Sequence, residues 1–320
     1  MPRPSVLLVT PYPAQANNGN WRTASRWARL LREPYRMIVQ AQPAPQQLRA
    51  ADCLIVLHAR RGHATLCAWH ERLPDRRLAV VLTGTDLYSD LPDNPAARES
   101  LAVADRLVVL QEDAVRALPG LYRHKARVVY QSARTLQPAR KAQTRIDCVM
   151  VGHLRREKDP LTVLRAWRRL PAEAPIRLTH IGDALDPDLG TAARDFEHRE
   201  ARYRWLGGKP HAWTRQAIRR SHLLLIPSLM EGGANVIVEA VTARTPVLAS
   251  RISGNVGMLG RDYAGYFPVG DDRTLARLLL RCAQEPAFLE QLAEQCRARR
   301  ALFTPRRERA ALLALVRELL

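Results

Sequence analysis

The chain alternates short apolar runs with amphipathic segments, and it does so twice, on either side of one polar stretch. In the first half, apolar runs at 5–9, 36–40, 53–57, 78–83, 106–110 and 127–130 read as strands. Helix-like segments lie between several of them. One is 21–31, where Trp27, Leu30 and Leu31 recur at helical spacing and point to a core. Near-continuous apolar strands separated by helices form a parallel sheet covered on both faces. Residues 131–145 are polar, basic and free of apolar periodicity, so they read as a linker. The pattern then restarts. Strands are expected at 147–151, 176–181, 203–206, 222–227 and 246–250, and helices at 160–170, 214–221 and 235–243. From residue 271 the chain reads as helical with Leu/Ala repeats. The expected class is α/β: two Rossmann-like doubly wound domains facing each other across a ligand-binding cleft.

Composition narrows the function classes. Apolar residues make up 47% and charged residues 25%, the balance of a soluble globular protein. No apolar run reaches the roughly 18 residues needed to span a bilayer. The apolar stretch before Pro11 is too short for a signal peptide. Cys53, Cys67, Cys148, Cys282 and Cys296 show no metal-ligand spacing, so the expectation is buried thiols in a reducing cytoplasm. The net charge is +19, and all but four of the 50 basic residues are arginine. Their even spread argues for solvated faces or a small anionic substrate rather than a nucleic-acid arm. His58, His63, His70, His180, His211 and His222 have no mutual spacing that argues for a site, and most read as surface or strand-end residues. Asp186, Asp188, Asp271 and Asp272 read as helix-start acids, and no metal is expected.

Three stretches carry chemistry. In "PSLMEGGANVIVEA", 227–240, a strand ends, Glu231 and Gly232-Gly233 follow, and a helix starts near Asn235. Glycines let backbone approach a ligand, and the exposed N–H groups of a helix start suit a diphosphate. Glu231 can reach a sugar over the loop, and Glu239, about one turn into the helix, can accept both ribose hydroxyls. The same stretch also reads as a Gly-rich turn with Glu239 on a helix surface. In "VGHLRREKDP", 151–160, directly after the first strand of the second half, Lys158 taken by itself reads as a surface lysine in the stretch before the helix. "LTGTDLYSD", 82–90, is either an active-site loop or a strand-end turn closed by Thr85 or Asp86. Two further segments read as loops: "ANNGNW", 16–21, between the first strand and first helix, and the glycine-rich 253–260.

E-x7-E before a helix, in the second of two Rossmann-like halves, resembles the retaining nucleotide-sugar glycosyltransferases of the GT-B fold, family-4 type. The resemblance implies that Glu231 lies against the donor sugar and Glu239 binds the ribose. It also gives the diphosphate to the amides of Gly232, Gly233, Ala234, Asn235 and Val236. Lys158 matches the family lysine that neutralises the diphosphate, while His153 occupies the position of the family arginine. Arg155 and Arg156 are the residues nearby that offer to replace its charge. Thr83 stands where the family often has His, and Asn18-Gly19-Asn20 where it has Gly-Gly. These departures, with "EGGANV" and "ASRISGNVGMLGRDYAGYFPVGD", 249–271, resemble the selenosugar synthases of selenoneine biosynthesis.

That resemblance implies an N-terminal acceptor-side domain over 1–140 and a nucleotide-sugar domain over 141–300. A helix over 301–320 would return towards the first. It implies transfer from a UDP-sugar, such as UDP-N-acetylglucosamine, to selenophosphate, with UDP and phosphate released. No cofactor or metal is implied, and no nucleic-acid or stable membrane partner. The product would pass to a downstream selenoneine-pathway enzyme in the cytoplasm. The catalytic set would be Glu231, Lys158 and Thr83. The donor set would be Glu239, His153 and residues 232–236. The acceptor or phosphate loops would be Asn18, Gly19 and Asn20 with Gly84, Thr85 and Asp86. A basic chain with Asn amides beside a flexible glycine suits a small anion. Two rival readings stay open: a conventional transferase acting on an envelope lipid or polysaccharide, with the basic surface docking on the membrane, and a non-catalytic nucleic-acid binder.

Overall fold

The computed structural model describes residues 3–13 and 19–320. The chain divides into two compact units: Met1–Ser132 together with Phe303–Leu320, and Ala133–Leu302.

In the first unit, strands β1 (Ser5–Val9), β2 (Arg36–Gln40), β3 (Cys53–Leu57), β4 (Leu78–Leu82), β5 (Arg106–Val109) and β6 (Ala126–Val128) form one parallel sheet in the order β2-β1-β3-β4-β5-β6. Side chains alternate across a strand, so one strand feeds two cores. Leu7, Leu54, Val56, Val80 and Leu107 pack with Leu66, Trp69 and Leu101 on one face. Val6, Leu8, Ile55, Val81 and Val108 pack with Trp27, Leu31, Leu312 and Leu315 on the other. Burial on both faces is why these strands read as unbroken apolar runs. Leu30 is only half-buried beside this second core.

The Gly19–Leu31 helix and the Pro305–Leu319 helix share that second face. Glu308, fully buried, accepts hydrogen bonds from Arg26 Nε, from the Trp27 indole N–H at 2.8 Å and from Ser132 Oγ at 2.5 Å. Further along the same helix, Glu318 pairs with Arg127 and Arg106, which hold its carboxyl down at about 2.

The second unit repeats the plan with β7 (Ile146–Val151), β8 (Ile176–Ile181), β9 (Tyr203–Trp205), β10 (Leu223–Ile226), β11 (Val247–Ser250) and β12 (Tyr266–Phe267). They are parallel in the order β12-β11-β10-β7-β8-β9. Strand order reverses between β1 and β3 in the first sheet and between β7 and β10 in the second. At such a reversal, consecutive crossovers leave to opposite sides and open a crevice at the carboxyl ends of the strands. The 152–159 and 227–234 loops both leave the second reversal.

Several expectations are corrected. Residues 253–260 do not form a loop, because Ser253–Leu259 is a helix. Its glycines have poor helix propensity, but tertiary contacts override it: Arg299 donates to the Gly257 carbonyl at 2.9 Å and to the Met258 carbonyl at 3.1 Å. His180, one residue from the end of its strand, is not a surface residue. It lies buried within β8, where Nε2 faces the Gly152 carbonyl at 3.2 Å and Nδ1 faces the Tyr203 hydroxyl at 3.0 Å. Strand β12 was not anticipated, since two residues carry no periodicity. Strands β4 and β5 stop one residue short of expectation, and β6 starts one residue early and stops at Val128. Asp186 and Asp271 do cap helices, accepting from the Leu189 and Thr274 N–H groups. Among the described residues no helix is long and apolar enough to cross a membrane.

Candidate active site

At the end of β7 the chain makes a close crossing. A Cβ on Gly182 would fall 2.0 Å from the Gly152 carbonyl oxygen, so position 182 tolerates no side chain. The Lys158 side chain lies over Gly152. Asp159 follows at φ 42° and accepts from the Thr162 N–H and hydroxyl, starting the Pro160–Trp167 helix. This turn ends the loop sharply and leaves Lys158 at its tip.

The loop after β10 meets it. The Leu229 N–H donates to the Glu157 carbonyl at 2.9 Å. Lys158 Nζ donates to Glu231 Oε1 at 2.5 Å, and Ser228 Oγ donates to the same oxygen at 2.6 Å. Among the described residues Glu231 Oε2 has no hydrogen-bond partner, so one carboxylate oxygen is anchored and the other is available. Below the loop, the Ser250 hydroxyl donates to the Ser228 carbonyl at 2.6 Å, and Asn255 Nδ2 bonds Ser250. A Cβ on Gly254 would lie 1.9 Å from the Glu231 carbonyl oxygen. Gly254 therefore lets the Ser253–Leu259 helix press directly on the Glu231 backbone.

Gly232, Gly233 and Ala234 are buried, and Asn235 and Val236 half-buried, at the start of the Asn235–Thr242 helix. Its N-cap residue, Ala234, makes no side-chain capping bond, and a helix start of this kind is suited to an anion. Glu239 is buried one turn on and accepts from His211 Nε2 at 2.6 Å. His211 opens the His211–Arg220 helix, and Arg215 follows one turn later. Burial lowers the Arg215 guanidinium pKa, and the nearby Glu239 opposes that shift. Arg215 also donates to the Arg134 carbonyl at 2.8 Å. Glu239 thus has two neighbours, His211 and Arg215, that sequence reading missed. His211 lies 28 residues away, on a different helix.

His153 stands apart from this pair. Its Nδ1 accepts from the Asp183 N–H at 3.0 Å, which ties the ring to the loop after β8. Arg155 engages Glu157 within its own loop at 3.9 Å.

In the first unit, Asp86 is fully buried. One of its oxygens accepts from the Thr83 and Gly84 N–H groups at 2.8 Å each, and the other from the Ala59 N–H at 2.9 Å. The carboxylate is consumed in shaping its own loop. Gly84, at φ 136°, supplies the turn. Thr85 Oγ1 lies 3.1 Å from His58 Nε2. His58 is buried at the end of β3 with φ 77°, a conformation that costs energy in a residue with a side chain and tends to persist at functional positions. Gly19 and Asn20 form the first turn of the Gly19–Leu31 helix. Thr23 Oγ1 donates to the Gly19 carbonyl at 2.9 Å and receives Gln131 Nε2 at 3.2 Å. Asn18 lies outside the described residues. An open groove lined by Arg3, Arg36, Arg76 and Arg77 lies at the opposite, N-terminal edge of this sheet, remote from these strand ends.

A sequence model of the family described as glycosyl transferases group 1 matches residues 132–299, which hold Lys158, Glu231 and Glu239. The chain belongs to this family. Solved structures similar to this group 1 glycosyltransferase include HepE of Anabaena in complex with UDP and glucose. It matches at TM-score 0.78 and 14% identity, covering 99% of this chain and 100% of that one. Sucrose-phosphate synthase of Thermosynechococcus elongatus matches at TM-score 0.76 and 15% identity over 99% of both chains. The lipopolysaccharide outer core galactosyltransferase WaaB matches at TM-score 0.69 and 13% identity, covering 99% and 100%. At these identities the likeness bears on the fold, which is GT-B.

Proposed function

We propose that this group 1 glycosyltransferase transfers a sugar from a UDP-sugar, such as UDP-N-acetylglucosamine, to selenophosphate. The observation that carries the donor half of this reading is the Lys158–Glu231 pair beside a helix start, with Glu239 one turn on. A cation, a helix start and carboxylates are what a nucleoside diphosphate sugar requires. That HepE binds UDP and glucose in a similar fold supports the same donor class. The acceptor half rests on the unusual segments around Asn18–Asn20, Thr83–Asp86, His153 and 249–271.

In this mechanism a selenium lone pair attacks the anomeric carbon. The anomeric C–O bond to UDP breaks, and the diphosphate leaves with its electron pair. Lys158 and the amides of Gly232, Gly233, Ala234, Asn235 and Val236 stabilise the leaving charge. Glu231 Oε2 orients the sugar, and Glu239 takes the ribose. Water then attacks phosphorus, the phosphorus–selenium bond breaks, and phosphate and the 1-seleno sugar are released. Asn18, Gly19, Asn20, Thr83, Gly84 and Thr85 are assigned to the anionic acceptor, and Asp86 to shaping its loop. His153 orients the loop that carries Lys158. The positive charge comes from these groups without a metal at this site. The reaction is placed in the cytoplasm, upstream of an enzyme that consumes the selenosugar.

The test is to incubate the protein with UDP-N-acetylglucosamine, with and without selenophosphate, in the absence of lipid. UDP release that depends on selenophosphate, with a selenosugar seen by mass spectrometry, is expected. Release only when a lipid or polysaccharide acceptor is added overturns the selenium reading and leaves a conventional glycosyltransferase.

A further inference from the structure

Away from these loops, the His63–Arg72 helix and the Pro95–Val103 helix of the first unit bring three different ligand types together. His63 and Cys67 are one turn apart on the first helix, and Glu99 comes from the second. His63 Nε2 lies 3.3 Å from a Glu99 carboxylate oxygen and 3.5 Å from Cys67 Sγ. The three donor groups all fall within 4.8 Å of one another. The other four cysteines are buried, whereas Cys67 is reachable.

We propose that His63, Cys67 and Glu99 bind a zinc-type divalent cation. The cluster approaches a tetrahedral site, which Cys67 completes by turning about its side chain, since its Sγ also lies 3.7 Å from His63 Nδ1, beside the ring. With zinc bond lengths of about 2.05 Å to nitrogen, 2.0 Å to oxygen and 2.3 Å to sulfur, the N···O and N···S edges of a tetrahedron come to about 3.3 and 3.6 Å. The two separations from His63 Nε2 have these values, and the Glu99–Cys67 edge lies within 4.8 Å. Glu99 is the exposed member, free to adjust its approach.

The outer contacts agree. His63 Nδ1 lies 3.1 Å from Ser100 Oγ, which itself lies 2.8 Å from the Ala59 carbonyl and 2.9 Å from that of Ala96. The single hydroxyl proton goes to one of these carbonyls, so Ser100 accepts from Nδ1–H. A neutral His63 then carries its lone pair on Nε2, the ring nitrogen nearer to Cys67 and 3.3 Å from Glu99. This is how a metal-binding histidine is normally oriented by its second nitrogen. A cation would take the place of the thiol proton between the Nε2 lone pair, the sulfur and the carboxylate. Three protein ligands leave a fourth position for water. Ala59, whose carbonyl faces Ser100, also donates its N–H to Asp86, so the site is linked to the Thr83–Asp86 loop. The proposal stands independently of the transfer reaction.

The test uses the full chain, stripped with a chelator and titrated with Co²⁺ and then Zn²⁺. One Co²⁺ per chain is expected, with a thiolate-to-cobalt charge-transfer band and tetrahedral d–d bands, both lost on adding Zn²⁺. Cys67→Ser should abolish the charge-transfer band. Glu99→Gln, at an exposed position that leaves folding intact, should weaken binding by at least about tenfold, and Ser100→Ala by roughly tenfold. Absence of the band in the unaltered protein overturns the site and leaves a His63–Glu99 ion pair. Persistence of the band in folded Cys67→Ser, or undiminished affinity in Glu99→Gln, also overturns it.

Discussion

Lys158 and Glu231, 73 residues apart, share a hydrogen bond of 2.5 Å because the two strands that carry their loops are neighbours in the sheet. The lysine therefore has two duties: it fixes one oxygen of Glu231, and it adds charge beside the amide end of a helix. Lys158→Ala should lower turnover of the UDP-sugar by about 10²–10³-fold, the usual loss for one stabilising donor. Lys158→Arg should restore part of it. UDP-release kinetics read both, and wild-type turnover in the alanine variant would remove the lysine from the mechanism.

Glu239 is assigned to the nucleotide rather than to the sugar. Glu239→Ala should weaken UDP binding by at least about tenfold, as loss of a charged hydrogen-bonding group does. His211→Ala should have a smaller effect, since it removes only the group that orients the carboxylate. Isothermal titration with UDP measures both. Unchanged UDP affinity in Glu239→Ala would end the ribose assignment.

Gly254 touches no ligand in this scheme, yet Gly254→Ala should reduce turnover. Its new methyl would sit 1.9 Å from the Glu231 carbonyl oxygen, so the loop must move. A displacement of about 1 Å costs on the order of 10²-fold in rate. The far-ultraviolet circular dichroism should stay native. Equal kinetics in the two proteins would show that the loop yields without consequence.

Glu308→Ala removes the carboxylate to which the Trp27 indole N–H and Arg26 Nε donate. Breaking such a buried pair costs about 3–5 kcal/mol. Urea denaturation should show the first unit unfolding early while the second keeps its midpoint. A shift below about 0.5 kcal/mol would place this cluster among the weak surface pairs.

Burial lowers His180 to about 4, against about 6.5 in an unfolded chain. Between these values the unfolded state binds more protons, so stability rises with pH. The contribution is complete above about pH 6.5 and is lost as the pH falls through 4. A protonated His180 could no longer accept from the Tyr203 hydroxyl. His180→Gln should flatten the dependence of Tm on pH in this window, and an unaltered slope would assign the acid sensitivity elsewhere.

The parallel sheets were legible because both faces of each strand are buried, which turns a strand such as Cys53–Leu57 into an unbroken apolar run. The Ser253–Leu259 helix was not, because its stability comes from the contacts of Gly254, Gly257 and Met258 and not from local preference. Glu231 announces itself through glycines and a helix start close by in the chain. Its supports do not: Ser250 and Asn255 act through another strand and helix. His63 and Cys67, four apart on one helix, share a face that spacing does carry, but the approach of Glu99 to them and of His211 to Glu239 depends on which helices the fold sets side by side, and residue spacing carries no trace of that.

The Pro305–Leu319 helix also bears on how the protein is made. Its Glu308 closes the buried cluster around Trp27, and its leucines cover one face of the first sheet. A ribosome reaches these residues only after it has synthesised all of Ala133–Leu302. The second unit is thus able to settle while the first still exposes an uncovered apolar face. During translation the earlier-made unit is the later one to be completed, and the interval is set by the length of the other.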